Sequence, residues 1–257
     1  MRSEYVGAGG AQAPLLRVSL ADGTLVAAPD LPPQEMLASL QVTSDVLGTG
    51  WFGADAAAVA LGKTVAIIGD GAVGLCAVIA ARHIGAERVI VMSRHAPRQK
   101  LAREFGATDI VTERGDEGVA RIKDLTDGLG AHSVVEAVGS QEAMMQAMRS
   151  TRPGGYVGFA GVSHGVQLPG QELFYAEVHL HGGPAPVRRF LPELIDLVWT
   201  ADQPRQGLRP DVAVGPGGRG LPRDGRAPCD QDAIAAVNAI TDKTARSRSS
   251  TLLSGGC

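Results

Sequence analysis

Residues 64–92 contain a strand-like run, a glycine-rich turn, a helix-like run and a second strand-like run, in that order. The first run is TVAII, the turn is GDGAVG and the last run is RVIVM. Gly69, Gly71 and Gly74 fit G-x-G-x-x-G, in which successive glycines permit a tight turn, close approach of the backbone to a pyrophosphate and close packing of helix on strand. The helix N-terminus that follows favours an anion. The pattern in this context predicts a dinucleotide site.

The same alternation of apolar runs and helical segments continues to about residue 200. Short apolar runs alternating with amphipathic helices are typical of a parallel sheet covered on both faces. The sequence therefore predicts an α/β domain of Rossmann type, with a doubly wound, parallel, six-stranded sheet. Strands are predicted at 64–68, 88–92, 109–111, 133–138, 154–161 and 178–182, and helices at 72–84, 97–105, 117–126, 140–149 and 186–199.

Composition divides the chain into three parts. Residues 15–30 predict a β-hairpin around an Asp-Gly turn, and residues 32–61 have helical composition broken by Gly48 and Gly50. After about residue 200, frequent Gly, Pro and Arg oppose an interior helix or a central strand. We assign 1–35 to a first region, 36–200 to the nucleotide-binding domain, and 201–257 to a tail expected to be disordered or, through a shifted reading frame, non-native.

Bulk properties exclude several classes of protein. The net charge of -3 is unlike that of a nucleic-acid binder, and no run reaches the roughly 18 apolar residues that a membrane helix requires. The start of the chain lacks the apolar segment of a secretory signal. Three cysteines are too few and too scattered for a disulfide framework. We therefore expect a cytoplasmic protein with neither nucleic-acid nor membrane partners.

The residues after the second strand indicate which dinucleotide to expect. Proteins that select NAD usually place Asp or Glu there, about 20 residues beyond the glycine motif, to accept from the ribose 2′-hydroxyl. Here Ser93 follows the strand, and Arg94, His95 and Arg98 come next without an acid. A carboxylate about 4 Å from the 2′-phosphate of NADP would repel each unit of its charge by roughly 1–4 kcal/mol, whereas an arginine attracts it. The pattern predicts NADP(H), although Arg98 could instead lie on a solvated helix face. Asp70, inside the glycine turn, is expected to be solvated.

Several segments in order resemble the zinc-dependent medium-chain alcohol dehydrogenases, in particular their NADP-using bacterial members. They are SDVLGTGWFGA, the stretch from GKTVAIIGDG to VIVMSRH, EAVGS, RPGGYVGFAGVSHG and GGPAPVRRFLPEL. The resemblance implies hydride transfer between NADP(H) and a small alcohol or aldehyde, and a homodimer formed through the last strands. Residues 1–35 would be the remnant of a GroES-like catalytic domain, most of it missing from this sequence, and the tail departs from the family.

The resemblance also adds residues to the cofactor site. In the family, the backbone of segments like EAVGS and GVS lies along the nicotinamide and its ribose. His164, just beyond, is either part of that pocket or a plain loop residue. The predicted cofactor-binding residues are therefore Gly69, Gly71, Ala72, Val73, Gly74, Ser93, Arg94, His95, Arg98, Val138, Gly139, Gly161 and Val162.

The resemblance further implies a catalytic zinc ion, held by a cysteine, a histidine and an acid in a segment like SDVLGTG. Only the acid has a match, Asp45, since no cysteine precedes Cys76 and no histidine precedes His83. An open catalytic zinc site needs three protein ligands. Asp45 is therefore either one ligand of a partial zinc site or an ordinary acid at a helix start. His179 and His181 would share one face of a strand, but no third ligand is evident.

Two other functions stay open beside the dehydrogenase. One is a catalytically inactive remnant that binds NADP(H), and the other is a zinc-free relative of the quinone-reductase type. A methyltransferase-like domain would normally have an acid where this chain has Ser93.

Overall fold

The computed structural model describes residues 16–202, and the six strands found there form one parallel sheet. They are β1 (Thr64–Ile68), β2 (Arg88–Met92), β3 (Asp109–Val111), β4 (Ala131–Glu136), β5 (Thr151–Phe159) and β6 (His179–Gly182). Their order is β3-β2-β1-β4-β5-β6, and every pairing is parallel. This is the doubly wound order, in which dinucleotides bind where the strand order reverses, here between β1 and β4. The predicted fold class is confirmed.

Helices cover both faces of this sheet. Alternate residues of β1 face opposite ways: Val65 and Ile67 pack in one core with α2, α3, α4, α5 and α9, whereas Ala66 and Ile68 pack in a second core with α6 and α7. The helices are α1 (Ala21–Thr24), α2 (Leu37–Thr43), α3 (Val46–Ala56), α4 (Ala72–Ile84), α5 (Ala96–Glu104), α6 (Gly115–Asp124), α7 (Gln141–Ser150), α8 (Gly170–Ala176) and α9 (Val187–Asp202), with a 3-10 turn at Gln34–Met36.

Local sequence signals explain two of these helix boundaries. Gly85 ends α4 in the left-handed region, at a φ of 102°, where a side chain would be strained. Ser140 precedes α7 and its hydroxyl accepts from the amide of Ala143 at 3.1 Å, as an N-cap does. The first three strands and α4 have the predicted bounds. The helix α8, between β5 and β6, was not predicted.

Two strands differ from their predicted bounds by two or three residues. β4 ends at Glu136 instead of 138, because the carboxylate of Glu136 accepts from the next two backbone amides and turns the chain. β5 begins at Thr151 instead of 154, because a bulge against β4 accommodates Pro153 within the strand.

The predicted hairpin at 15–30 is wrong for its described part. Residues 16–30 contain the single turn of helix Ala21–Thr24 and no strand. Leu20 and Leu25 on either side of this turn are exposed. A two-stranded hairpin without a surface to pack on is marginal at best, so the Asp-Gly dipeptide alone does not produce one.

The predicted helix break at Gly48 and Gly50 is also wrong. Both glycines lie inside α3, and the chain breaks instead at Ser44 and Asp45, ahead of it. A Cβ at Gly50 would lie 2.6 Å from the Cβ of Cys76 in α4. The glycines therefore permit close packing of helices. Their helix propensity is overridden by this packing.

Part of the predicted organisation lies outside the described residues. The assignment of 1–35 to a GroES-like remnant and of 201–257 to a disordered tail both depend on such residues, and both stay predictions. None of the helices within 16–202 is long and apolar enough to cross a membrane.

Candidate cofactor site

The glycine turn after β1 has the geometry that its motif requires. Gly69 adopts a φ of 118°, which favours glycine. A Cβ at Gly74 would lie 2.2 Å from the carbonyl oxygen of Gly69, so α4 touches the turn directly. A Cβ at Gly71 would meet nothing within 4 Å. No side chain caps α4, which begins with Ala72 and Val73, so its N-terminal amides are suited to a phosphate.

The loops that follow β4 and β5 complete this edge of the sheet. A Cβ at Gly69 would lie 2.9 Å from Cγ2 of Val138, and one at Gly139 would lie 2.2 Å from the carbonyl oxygen of Val162. A Cβ at Gly161 would similarly lie 2.3 Å from the amide nitrogen of Gly139. Val138 and Val162 are 54% and 69% exposed. The structure thus brings the predicted residues of all three loops together around the strand-order reversal.

Glu136, which sequence reasoning missed, supports the loop after β4. Its side chain is fully buried, and Oε1 accepts from the amides of Val138 at 2.8 Å and Gly139 at 2.7 Å. Oε2 has no hydrogen-bond partner among the described residues. Burial raises the pKa of Glu136, and the two amides oppose that shift. An acid within the apolar run SVVEAV was the available signal, because a buried carboxyl group needs donors.

A group that we call the cationic corner lies where β2 and β3 end beside the glycine turn. It comprises Asp70, Ser93, Arg94, Arg98 and Arg114. Ser93 is buried at the end of β2, whereas Arg94 is exposed and Arg98 is partly buried in α5. His95, also predicted for the cofactor, is exposed just before α5.

Arg114 was missed by the sequence analysis. It follows β3, and its guanidinium donates to the carbonyl oxygen of Met92, the last residue of β2, at 3.3 Å. Burial and then the charge of Arg94 lower the pKa of Arg114, while Asp70 acts in the opposite direction. The signal was its place after the predicted strand DIV, because neighbouring parallel strands end at the same edge of a sheet.

Asp70 is not solvated, contrary to the prediction. It is 8% exposed, the hydroxyl of Ser93 donates to its Oδ2 at 2.7 Å, and Nη1 of Arg98 lies 3.3 Å from its Oδ1. A buried carboxylate requires such partners. The glycine turn therefore brings an acid to a corner where the sequence around Ser93 contains none.

The structure does not bring together the residues considered for a zinc site, which are Asp45, His179 and His181. Asp45 is exposed at the start of α3, and Cys76 is a fully buried thiol whose pKa is raised by burial and then by Asp45. His179 stacks on Tyr156, and His181 meets the edge of Phe52. Within 16–202, no group of three or more His, Cys, Asp or Glu could hold a metal ion. The role of Asp45 as a zinc ligand stays a prediction.

Comparison with known proteins agrees with this geometry. A family model described as a zinc-binding dehydrogenase matches residues 72–200, from the start of α4 into α9. The chain belongs to this family. A probable zinc-binding alcohol dehydrogenase from Mycobacterium tuberculosis is 39% identical to this zinc-type dehydrogenase over 193 residues, which are 74% of this chain and 48% of that protein.

Two further relatives extend the comparison. An NADP-dependent isopropanol dehydrogenase from Entamoeba histolytica is 34% identical over 193 residues, which cover 72% of this chain and 52% of that protein. The apo structure of zinc-dependent alcohol dehydrogenase 2 from a streptococcus has a TM-score of 0.62 and 29% identity, and the match covers 72% of this chain and 52% of that one. This zinc-type medium-chain dehydrogenase thus spans about half the length of the relatives it matches.

Proposed function

We propose that the chain is an NADP(H)-dependent oxidoreductase that transfers hydride between the nicotinamide and a small alcohol or aldehyde. The observation that supports this cofactor is the cationic corner beside the glycine turn, where Arg98 pairs with Asp70 and the charges of Arg94 and Asp70 both act on Arg114. The 34%-identical isopropanol dehydrogenase, named as NADP-dependent, supports both the cofactor and the substrate class.

Different residues at the carboxyl ends of the strands suit different groups of NADP(H). The open space at Gly71 and the uncapped start of α4 suit the pyrophosphate. Arg94, Arg98 and Arg114 suit the 2′-phosphate, which carries about -1.5 to -2 charges near neutral pH. When bound, NADP(H) supplies the hydride chemistry.

The loops after β4 and β5 suit the other end of the cofactor. The exposed side chains of Val138 and Val162 offer apolar surface at the strand-order reversal, where a nicotinamide ring would be shielded from water. Glu136 holds the first of these loops in position through two amides. The substrate would bind next to the nicotinamide at these loops, since hydride passes directly between the nicotinamide ring and the substrate.

The described residues do not fit a catalytic zinc ion. A catalytic site needs three ligands besides an open position, and within the described part of the chain Asp45 belongs to no group of three or more His, Cys, Asp or Glu side chains that could hold a metal ion. We therefore assign no step to zinc. The homodimer is a proposal that rests on the family resemblance, and the cytoplasmic location is a proposal that rests on the bulk properties of the sequence.

The test is to titrate the purified 257-residue chain with NADPH and with NADH, and to measure binding by calorimetry or by nicotinamide fluorescence. We expect NADPH to bind more tightly, because the positive charge of the corner attracts a 2′-phosphate that NADH lacks, whereas both cofactors carry the same pyrophosphate. Arg114→Gln should weaken NADPH about tenfold and leave NADH nearly unchanged. Tighter binding of NADH, or no binding of either cofactor, contradicts the proposal.

Two other functions stay candidates. In one, the chain binds NADP(H) without turnover; in the other, it reduces its substrate without zinc, like the quinone reductases. The observation that favours them is the scattered placement of metal-ligating side chains within 16–202. Metal analysis and activity measurements on the same preparation separate these functions. About one zinc per chain with alcohol-dependent NADPH formation supports the dehydrogenase, and NADPH binding without either supports the binder. Reduction of a quinone by NADPH without zinc supports the reductase.

A further inference from the structure

Asp70 introduces a negative charge at the part of the site that distinguishes the two dinucleotides. The adenosine ribose of a dinucleotide binds near the end of the second strand, beside the glycine turn. Ser93 ends that strand here, and its hydroxyl donates to Oδ2 of Asp70 at 2.7 Å. The acid thus lies at the ribose position although it comes from the turn, 23 residues earlier in the chain.

The charge of Asp70 acts on the two cofactors differently. Its Oδ1 lies 3.3 Å from Nη1 of Arg98, and its charge opposes the lowering of the pKa of Arg114 by burial and Arg94, so Asp70 offsets part of the positive charge of the corner. A 2′-phosphate would be repelled by this carboxylate, whereas an uncharged 2′-hydroxyl can donate to a carboxylate. Both cofactors carry the same pyrophosphate, so any effect of Asp70 on that group is common to both.

We propose that Asp70 determines how strongly the site discriminates NADP(H) from NAD(H), by lowering its preference for the phosphorylated ribose. The proposal rests on the proposed function, since it assumes that the cationic corner receives the adenosine ribose. Asp70 is thus a specificity-determining residue in the glycine turn, at a variable position of the motif, that admits NAD(H) as a second cofactor.

The contacts of Asp70 also allow a role with the opposite effect on NADPH binding, and the experiment must distinguish it from the proposed one. If Asp70 mainly holds Arg98 and Ser93 in the orientation that binds phosphate, its removal weakens NADPH instead. The two roles predict opposite signs for the same substitution. The charge effect is expected to exceed the positioning effect, because Arg94 and Arg114 remain in place without Asp70.

The test measures the dissociation constants of NADPH and NADH for the full chain and for Asp70→Asn. The informative quantity is the ratio of the NADH constant to the NADPH constant, because damage to the fold weakens both cofactors and leaves the ratio unchanged. We expect Asp70→Asn to raise this ratio about tenfold, mainly through tighter NADPH binding. Asp70→Ser provides a second, smaller side chain that can still hydrogen-bond Ser93, should the amide variant fold poorly.

Asp124→Asn is the matched control. Asp124 is an exposed acid near Arg121 at the end of α6, at the opposite edge of the sheet, so this change should leave the ratio within about twofold. A ratio that falls or stays constant in both Asp70 variants overturns the proposal. If the wild-type chain binds neither cofactor, the proposed function itself fails and takes this proposal with it, whereas a constant ratio with intact NADPH binding refutes the role of Asp70 alone.

Discussion

Gly71 and Gly74 lie in the same turn but are needed for different reasons. The space where a Cβ of Gly71 would lie is open, and its φ of -73° suits any residue. A Cβ of Gly74 would collide with the backbone of Gly69. One glycine therefore leaves room for a ligand, and the other permits the helix to pack on the strand.

This difference predicts opposite effects of two alanine substitutions. Gly71→Ala should leave the free energy of unfolding within about 0.5 kcal/mol of wild type but weaken NADPH binding about tenfold, because the methyl group fills space for the pyrophosphate. Gly74→Ala should lower the free energy of unfolding by about 2–3 kcal/mol through overpacking. Urea unfolding and NADPH titration of both variants measure these effects. Unimpaired NADPH binding by Gly71→Ala would argue against a phosphate at this turn.

Glu136 makes the stability of the chain depend on pH. Since burial raises its pKa above the ordinary 4.5, the folded state holds its proton at pH values where the unfolded state has lost it. The stabilisation associated with that proton is complete below about 4.5 and is lost as pH rises through the folded-state pKa. Glu136→Gln cannot ionise, yet it keeps an acceptor for the amides of Val138 and Gly139.

We therefore expect Glu136→Gln to gain stability relative to wild type as the pH rises from about 4.5 towards neutrality. Urea unfolding at several pH values measures the difference between the two proteins. Glu136→Leu serves as the comparison, because it leaves the amides of Val138 and Gly139 without their acceptor and should cost about 2 kcal/mol. A pH-independent difference between the glutamine variant and wild type would show that Glu136 has no raised pKa.

At the scale of elements, close contact between α3 and α4 fixes the layer beneath the site. A Cβ at Gly50 would lie 2.6 Å from the Cβ of Cys76 and 2.7 Å from the amide nitrogen of Ala77. Contacts this short involve the backbone of α4 and cannot be relieved by rotating a side chain. The glycine turn begins α4, so the position of this helix also sets the position of the site.

Gly50→Ala should therefore destabilise the chain, although alanine forms helices more readily. The gain in helix propensity is about 1 kcal/mol, and overpacking against backbone should exceed it and leave a net loss of about 2 kcal/mol. Gly170→Ala, at the start of α8 with nothing within 4 Å of its Cβ, should keep or slightly raise the stability. Urea unfolding of both variants tests the difference, and equal stabilities would refute tight packing of α3 on α4.

For the whole molecule, binding of the cofactor to the folded state should raise the free energy of unfolding. NADPH at about one hundred times its dissociation constant adds about 2.7 kcal/mol to the free energy of unfolding, which should raise Tm by roughly 5–10 °C. Raising the salt from about 0.1 M to 1 M shortens the Debye length from about 10 Å to 3 Å. The Tm shift with NADPH should therefore fall more than the shift with NADH. Equal salt dependence for the two cofactors would show that no arginines bind the 2′-phosphate.

The architecture of the sheet could be predicted from the amino-acid sequence. β1, α4 and β2 lie where the apolar periodicity and the glycine motif predicted them, because strand burial and helix amphipathicity are local patterns that can be read along the chain. The doubly wound arrangement follows from their alternation. In residues 16–30 the local Asp-Gly signal had no packing surface, and the predicted hairpin did not form there.

Which charged side chains contact one another at the site depends on the packing of distant segments and could not be predicted. Asp70, Ser93 and Arg114 follow β1, β2 and β3, and nothing in their spacing shows that the buried carboxylate of Asp70 binds both Ser93 and Arg98. Glu136 likewise supports the loop after β4, because its buried carboxylate accepts from the amides of Val138 and Gly139. Parallel strands bring their carboxyl ends to one edge whatever their separation in sequence, so the direction and burial of each side chain there depend on the packed neighbours of other strands.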